Sequence, residues 1–469
     1  MKKEFTISDF RFTIYKNIVQ KKNIILFLFF FSFSVSVFAE TEEEIEKVAE
    51  IEKHTKGLSL VALPLLSFDT DLGVEFGAFA NLYHFGDGSR FPQYDHFFAI
   101  EYSRNTKGGQ KFASTFDSDR LIKNIRTNLD IMYSEDLLAF FFGFNGYNAV
   151  FSPEMEQMNR AFYRYQNKTF RIKPDFQGHF GDSPFGWIAG VSFMHVNPGS
   201  VDVARINSDK TNSINNLPDD PNMYLFNKYV KWGIISPEET EKRWLNYVKI
   251  GAKYDTRDFM LNPFKGIFTE VMLQGAPAVL GNYFPHAKFA VIHRQYVPIV
   301  QDGKLNFAYR VFYQTTVGNS KVPFYAQPLL MSSFETSSMT QGLGGARTLR
   351  GVMKNRVVGD GFVMVNAEFR LKIFQFALQN QFFDIYINPF VDAGYITKEI
   401  DISKPLSQLS EEDRTTFFRE GKQGIHASAG LGFKLILNHN FVMSVETGKP
   451  FDKRDGDIFR VYLNTSYTF

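Results

Sequence analysis

The chain of 469 residues contains no cysteine. This absence excludes disulfide scaffolds, thiolate metal sites, cysteine nucleophiles and a lipidated amino-terminal cysteine. The chain also lacks an excess of charge of either sign, because 52 Lys and Arg residues face 50 Asp and Glu residues and the formal net charge is +2. We therefore expect no nucleic-acid-binding surface extending over the whole chain.

Long apolar runs and catalytic signatures are also missing. No segment after the amino-terminal region has 18 consecutive apolar residues, so the sequence does not predict membrane-spanning helices. The stretch 190–194 falls short of a G-x-S-x-G nucleophile elbow, and the glycine-rich stretch 342–345 is not followed by the Lys-Ser/Thr of a phosphate loop. We expect neither an enzyme nor a metal or cofactor site.

The amino terminus carries a targeting pattern. A basic leader precedes an apolar run over 24–37, which three serines interrupt. Val37-Phe38-Ala39 then resembles the small-residue cleavage site of a signal peptide. This order predicts a secretory signal peptide over 1–39. An uncleaved anchor is the alternative, although the run is shorter than the roughly 20 residues of a spanning helix. Residues 40–57, rich in Glu and Lys, are expected to form a short periplasmic linker or helix.

Alternation of apolar and polar residues with period two dominates from about residue 58 onward. In the last eleven residues the odd positions, from Phe459 to Phe469, are mostly apolar and the even positions mostly polar. This length matches a tilted transmembrane strand of about 9–11 residues. A soluble β-sandwich also alternates, but its strands usually have about 5–6 residues. The long strands therefore favour a barrel in lipid over 58–469, apolar outside and polar inside.

The pattern predicts about sixteen antiparallel strands in one all-β transmembrane barrel. Closure is expected because an open sheet edge cannot be hydrated inside the bilayer. Residues 58–68 are left over, either as a segment before the barrel or as the true first strand. The strands are expected near 73–84, 95–104, 109–118, 124–134, 139–150, 167–178, 185–196, 244–255, 264–277, 286–298, 303–316, 361–373, 385–396, 424–436, 440–448 and 459–469.

The spacing of the strands also orients the barrel. The four longest gaps follow the fifth, seventh, eleventh and thirteenth predicted strands. They are 151–166, 197–243, 317–360 and 397–423. Gaps after odd-numbered strands are extracellular when both termini are periplasmic, and long extracellular loops with short periplasmic turns are typical of bacterial barrels.

Three motifs go beyond a generic barrel. They are Tyr254-Asp255-Thr256-Arg257-Asp258; the stretch from Gly342 to Gly351, with Asn366-x-Glu368-x-Arg370 after it; and Asn388-Pro389-Phe390-Val391-Asp392-Ala393-Gly394. In this order, ahead of an aromatic last strand, they resemble the BamA/TamA superfamily of outer-membrane assembly barrels, also called bacterial surface antigen barrels. The resemblance covers about 240–469 by motif and 58–240 by strand pattern alone. It implies a location in the bacterial outer membrane.

The resemblance implies a role for Arg350. In that family the loop carrying Leu-Arg-Gly folds back into the lumen, and its Arg contacts strand carboxylates; Glu368 and Asp392 match these by motif position. Independently of the resemblance, Glu368 lies on the polar face of its strand, and a guanidinium inside a narrow lumen needs fixed acceptors. The alternative is that Arg350 is a solvated loop charge.

The glycines of the same loop fit a tight conformation. Gly344, Gly345 and Gly351 suit positions that need positive φ or close packing. In the predicted periplasmic turn, Asp255 and Asp258 are expected to bracket Arg257 and fix the turn. A metal site there is the alternative, but two carboxylates supply too few ligands for Ca²⁺, which takes about 6–8 oxygens.

The leading functional hypothesis is membrane-protein insertion or translocation, in which the first and last strands part and offer a strand edge. The assembly factors of the family carry periplasmic polypeptide-transport-associated domains, whereas here only 40–57 precede the strands, so we expect a barrel-only branch. Two alternatives stay open: a passive or regulated pore, suggested by Lys249, Lys253, Arg310 and Lys434, and a surface adhesion module using loop 197–243. The expected partners are outer-membrane lipid and, under the leading hypothesis, unfolded outer-membrane proteins or a periplasmic or outer-membrane complex.

Overall fold

The structure is a computed structural model in which a defined part of the chain is described. The described residues are Lys47 and the ranges 55–69, 73–208, 216–260, 262–300, 304–333, 342–378, 381–419, 421 and 423–464. The predicted signal peptide and nearly all of the predicted linker lie outside these residues. Among the described residues, no helix is long and apolar enough to cross a membrane.

Sixteen antiparallel strands form one sheet in which each strand pairs with its neighbours in sequence. The long alternating stretches form these strands because period-two patterning places one set of side chains on each face of the sheet. The strands are β1 Leu58–Asp69, β2 Gly73–His84, β3 His96–Asn105, β4 Gln110–Ile122, β5 Ile125–Phe140, β6 Arg164–His179, β7 Phe185–Gly199, β8 Arg243–Asp255, β9 Gly266–Ala276, β10 His286–Val300, β11 Leu305–Thr316, β12 Gly361–Leu378, β13 Gln381–Lys398, β14 His426–Leu437, β15 Phe441–Pro450 and β16 Arg460–Asn464.

The two faces of the sheet have the polarity of a barrel in lipid. On β12, Val365 and Phe369 are 40% and 45% exposed, whereas Asn366, Glu368 and Arg370 between and beyond them are at most 1% exposed. Apolar side chains therefore point outward and polar ones into the lumen, as a transmembrane barrel requires. The predicted fold class is confirmed.

Contacts between the early and late strands bring the ends of the sheet together. The Tyr83 hydroxyl on β2 donates to the Asn440 carbonyl oxygen at 3.4 Å, and Asn440 Nδ2 donates to the Pro92 carbonyl oxygen at 2.9 Å. The rings of Phe79 on β2 and Phe441 on β15 stack with centroids 5.9 Å apart. The sheet therefore curls round the lumen until β2 meets β15.

The strand count was predicted correctly, one strand assignment was wrong, and of the two alternatives for residues 58–68 the structure shows the true first strand. Residues 58–69 form β1, and the predicted strand 139–150 continues β5 only as far as Phe140. Beyond it Gly143, Asn145 and Gly146 have φ of 83°, 61° and 51°, a left-handed conformation that a strand cannot contain. The additional first strand and the absent strand at 139–150 offset each other in the numbering from β6 onward. The long gaps therefore still follow odd-numbered strands.

The loops differ sharply between the two ends of the barrel. At one end, the long-loop end, segments 141–163, 200–242, 317–360 and 399–425 follow β5, β7, β11 and β13. At the other, the short-turn end, the connections range from two residues (123–124) to eleven (85–95). The helices of the described residues, all short, lie in the long loops. They are α1 Pro153–Met158, α2 Val203–Asn207, α3 Leu225–Lys231, α4 Ser403–Leu406 and α5 Glu411–Phe417.

The long loops share one aromatic core, which we call the dome. Tyr229 on α3 lies at its centre, with its ring centroid 5.1 Å from that of Phe141, 5.7 Å from Phe144 and 5.7 Å from Phe418. Residues of 141–163, 225–235, 322–326 and 402–418 contribute to the same buried cluster. The dome therefore packs the long-loop end of the barrel with apolar side chains from four separate loops.

Removal of the central ring is expected to loosen the dome. Tyr229→Ala leaves a cavity in a packed aromatic cluster, and such truncations destabilise by about 3–5 kcal/mol. We expect more frequent or larger conductance steps in planar bilayers than for the wild type. Tyr283→Ala is the control, because Tyr283 also lies at the long-loop end but is 55% exposed. Wild-type currents from Tyr229→Ala would contradict a closing role for the dome.

Candidate functional site

The connection between β11 and β12 enters the barrel. Its segment 342–358, which we call the lumen loop, buries apolar side chains against the inner wall. Leu343 and Leu349 belong to a buried cluster with Met272, Phe312 and Met364 of the strands. This long loop is therefore folded into the lumen, as predicted.

Two glycines fit the lumen loop into this narrow space. Gly344 has φ of 118°, and a Cβ there would overlap the Met353 carbonyl oxygen. Gly351 has φ of 101°, and a Cβ there would lie 2.7 Å from the backbone of Gly448 on β15. Gly345 also has positive φ, 95°, but a Cβ there would make only ordinary van der Waals contacts. Backbone conformation and close approach together thus require glycine at 344 and 351.

Arg350 lies at the centre of a fully buried ionic site. Its Nε donates to Asp392 Oδ2 on β13 and one terminal nitrogen donates to Asp392 Oδ1, both at 2.9 Å. The backbone N–H of Arg350 also donates to Asp392 Oδ2 at 2.9 Å. Its other terminal nitrogen donates to Glu368 on β12 and to Glu446 on β15, both at 2.9 Å. The guanidinium also lies 3.6 Å from the ring centroid of Phe390.

Two further cations complete the site, which we call the charge cluster. Arg370 Nε donates to Glu368 at 2.8 Å. Lys434 Nζ on β14 lies 3.4 Å from Glu368 and 3.5 Å from Glu446. The members are Arg350, Arg370, Lys434, Glu368, Asp392 and Glu446, three cations and three anions that are each at most 1% exposed. The formal charges balance, which a buried cluster needs because unpaired charge is expensive away from water.

The lumen loop is also bound to the last two strands. The Gly351 N–H donates to the Tyr462 hydroxyl on β16 at 2.8 Å. The Met353 N–H donates to the Asp455 carbonyl oxygen at 3.0 Å, in the connection that leads into β16. Together with the contact of Arg350 with Glu446 on β15, these bonds couple the loop to the carboxyl-terminal side of the barrel.

A second polar group lies where the dome meets β14. His426 Nδ1 lies 2.8 Å from Asp455 Oδ1, and the Tyr147 hydroxyl donates to Asp455 Oδ2 at 2.8 Å. Burial and the Asp455 carboxylate raise the pKa of Tyr147, so the hydroxyl keeps its proton and its role as donor. The Asp455 carboxylate thereby joins His426 on β14 to Tyr147 in the loop that follows β5.

The predicted turn motif is assembled differently from the prediction. Asp255 is the carboxylate that binds Arg257, through Nε and one terminal nitrogen at 2.9 Å each, and the other terminal nitrogen donates to the Met260 carbonyl oxygen at 3.2 Å. Asp258 instead accepts backbone N–H groups of the same turn, including those of Phe259 at 2.9 Å and Phe264 at 3.0 Å. The expected bracketing of Arg257 by both carboxylates is wrong, because the second carboxylate satisfies turn amides that would otherwise be orphaned.

The sequence motifs did not indicate every member of the charge cluster. The structure brings together Arg350, Glu368 and Asp392, which the motifs singled out. Glu446 and Tyr462 were missed. A signal for Glu446 was present, because it is the sole carboxylate of β15 and shares the inward parity of Val442 and Ser444. Which of several inward carboxylates meets Arg350 depends on the path of the loop, and period-two patterning does not encode that path.

Single substitutions in the charge cluster are expected to destabilise the barrel. Arg350→Ala leaves three carboxylates near one lysine and one arginine, and Glu368→Gln leaves a cationic excess. Breaking a buried pair costs about 3–5 kcal/mol. We expect a lower denaturant midpoint for the heat-modifiable folded form in both variants.

The matched control is Arg454→Ala, which removes an arginine paired with Asp452 by two nitrogens at the surface. Its side chain is 45% exposed, and surface pairs contribute only about 0–1 kcal/mol. Equal midpoints for Arg350→Ala and Arg454→Ala would show that the buried pairing does not stabilise the fold.

Comparisons with known proteins agree with this geometry. A family model described as the Omp85 superfamily domain matches residues 94–469. BamA from Haemophilus ducreyi lacking POTRA domains 1–3 is 15% identical over 88% of this chain and 70% of that one, with a TM-score of 0.49. CdiB from Escherichia coli is 10% identical over 87% of this chain and 61% of that one, with a TM-score of 0.51. At such identities the likeness to the solved structures concerns the fold.

No curated protein sequence matches the chain. The family model nevertheless covers most of it, including β12, β13 and the lumen loop that carry the charge cluster. The protein therefore belongs to the Omp85 superfamily of bacterial outer-membrane β-barrels.

Proposed function

We propose that the protein inserts or translocates polypeptides at the bacterial outer membrane by opening its sheet between β1 and β16. The observation that carries the proposal is the occupied lumen. The lumen loop and its charge cluster fill the interior, and the dome packs the long-loop end. Among the described residues these groups obstruct an axial route for a polypeptide, and an opening between the terminal strands is the alternative.

The terminal strands have the chemistry that such an opening needs. The two ends of a sheet carry unpaired N–H and C=O groups once they part, and an extended segment of another chain can pair with them. Outward side chains of both strands are strongly exposed on the lipid face, for example Leu60 at 64% and Leu463 at 80%. An incoming strand with the same alternation would continue the sheet without exposing polar groups to lipid.

The two sides of this seam are joined at the short-turn end by a group of contacts that we call the clasp. The Phe91 and Phe382 rings meet edge to face with centroids 6.5 Å apart, and Phe382 contacts the His439 ring at 4.7 Å. Asn440 Nδ2 donates to the Pro92 carbonyl oxygen at 2.9 Å. Side-chain contacts of this kind part more easily than a ladder of backbone hydrogen bonds, so the clasp suits a gate.

Cross-linking the clasp is expected to stop insertion. The chain has no cysteine, so Phe91→Cys with Phe382→Cys allows a short bismaleimide to join the two sides specifically. In vesicles, we expect the cross-linked variant to lose most of its ability to accelerate the folding of an unfolded outer-membrane barrel. The uncross-linked double variant should keep it.

The control pair is Phe185→Cys with Tyr254→Cys, whose rings lie 4.9 Å apart on the paired strands β7 and β8. A cross-link there joins strands that are already hydrogen-bonded and should leave insertion unchanged. Loss of insertion in both pairs, or in neither, would count against opening at the seam.

Depletion in the native cell tests the proposal in vivo. We expect the amounts of other outer-membrane barrels to fall, as measured by proteomics of isolated outer membranes. Unchanged amounts after depletion would rule out an assembly role and favour the pore alternative. That alternative also requires a large steady conductance of the wild type, which the packed dome and the buried charge cluster argue against.

A further inference from the structure

A large cavity opens at the short-turn end of the barrel, away from the charge cluster. Its volume is about 900 Å³. Turns 85–95, 119–126, 179–182, 255–260 and 439–440 surround it, and the inward side chains of Gln177 and Lys253 line its wall. The cavity is large enough for a segment of a few residues or for a small charged molecule.

Lys253 is a buried lysine whose charge has no ion-pair partner among the described residues. It is 6% exposed and makes one hydrogen bond, from Nζ to Gln177 Oε1 at 3.0 Å. An ammonium group has three N–H donors, so two remain. The Gln177 side chain is 2% exposed, and its Nε2 has no hydrogen-bond partner. The unused donors therefore belong to two neighbouring buried side chains, and both residues line the cavity.

A glycine on β7, the strand between Lys253 and Gln177, lets these two side chains meet. Lys253 on β8 pairs in register with Gly186 on β7, and a Cβ at Gly186 would lie 2.8 Å from Lys253 Cε. Because Gly186 has no side chain, Lys253 crosses over β7 to Gln177 on β6. The arrangement is built into the wall and does not depend on a mobile surface lysine.

A second lysine on β8, Lys249, crosses β7 over a glycine in the same way, but its acceptor on β6 is a carboxylate. Lys249 on β8 pairs in register with Gly190, and Gly190 pairs with Asp175 on β6. Lys249 Nζ lies 2.9 Å from Asp175, and it also donates to the Ser332 carbonyl oxygen at 2.8 Å. At this internal position the lysine has a carboxylate partner within the chain, which it shares with Lys173. At Lys253 the corresponding acceptor is a neutral amide.

The nearest carboxylates are bound elsewhere. Glu270 pairs with Lys253 in the β8–β9 ladder, but its carboxylate accepts a hydrogen bond from Ser333. Asp255 is bound by Arg257 through two nitrogens at 2.9 Å each. Neither carboxylate forms a salt bridge with Lys253, so among the described residues the ammonium group keeps donors that no carboxylate accepts.

From this contrast we propose that Lys253 and Gln177 form a binding site for one oxyanion, a carboxylate or a phosphate, on a ligand that enters through the short-turn end. The two oxygens of such a group accept from Lys253 Nζ and Gln177 Nε2 and satisfy both sets of unused donors. The site is independent of the proposed insertion activity, because it requires no opening of the seam.

Titration of the detergent-solubilised full chain at constant ionic strength tests the site. The probes are inorganic phosphate and a short neutral peptide with a free terminal carboxylate, with its amidated form for comparison. We expect saturable binding of phosphate, of the carboxylate peptide, or of both, and none of the amidated peptide. Phosphate alone would assign a phosphate-bearing ligand, and the peptide alone a carboxylate-bearing one.

Three variants locate the binding. Lys253→Gln removes a charged hydrogen bond worth about 1.5–3 kcal/mol, so affinity should fall at least about tenfold. Gln177→Glu supplies an internal carboxylate and should abolish binding while the barrel still folds. Lys123→Gln removes the same charge from the exposed rim of the cavity and should bind like the wild type.

The folded state of each variant is checked by its heat-modifiable migration. Absence of saturable binding of either probe to the wild type would overturn the proposal. Undiminished binding by a folded Lys253→Gln variant would overturn it as well. So would an equal loss of binding in Lys123→Gln, since binding would then reflect the overall charge of the cavity rim.

Discussion

The buried guanidinium of Arg350 is the interaction on which the interior depends. A charge moved from water into a protein interior carries a penalty of several kcal/mol, and fixed partners of opposite charge must offset it. Asp392, Glu368 and Glu446 supply these partners from three different strands. The lumen loop is therefore not held by one wall of the barrel. Its position requires β12, β13 and β15 to stand in their present register, and the register is in turn stabilised by the loop.

This mutual dependence explains why the lumen is lined by polar side chains and yet is not a simple water-filled channel. In the charge cluster, three cations and three anions balance within a few ångströms and leave no net charge to attract water. Farther along the wall, Gly186 and Gly190 make room for lysines that cross from β8 to β6. Gly186 and Gly190 are thus required by space, since their φ values are ordinary while a Cβ at either position would collide with a neighbour.

The sequence contained enough information for the fold class, the number of strands and part of the site. Period-two alternation identifies strands such as β12, because lipid and lumen impose opposite polarities on adjacent residues. The strand assignment failed at 139–150, where the consecutive Phe140, Phe141 and Phe142 belong to an aromatic run and not to an alternating pattern, and where the glycines and Asn145 bend the chain. It also left 58–68 undecided and gave no reason to join Glu446 or Tyr462 to Arg350. Contacts made by a folded loop depend on long-range geometry, which local periodicity does not carry.

The contacts at the two ends of the barrel differ in kind, and this asymmetry bears on the direction of entry. The dome is apolar and draws on rings from four loops, so opening it exposes a large hydrophobic surface to water. The clasp has a few ring contacts and a hydrogen bond from Asn440 to the backbone, beside a cavity with charged walls. In the proposed insertion and binding roles, this contrast favours entry of a ligand or a polypeptide at the short-turn end.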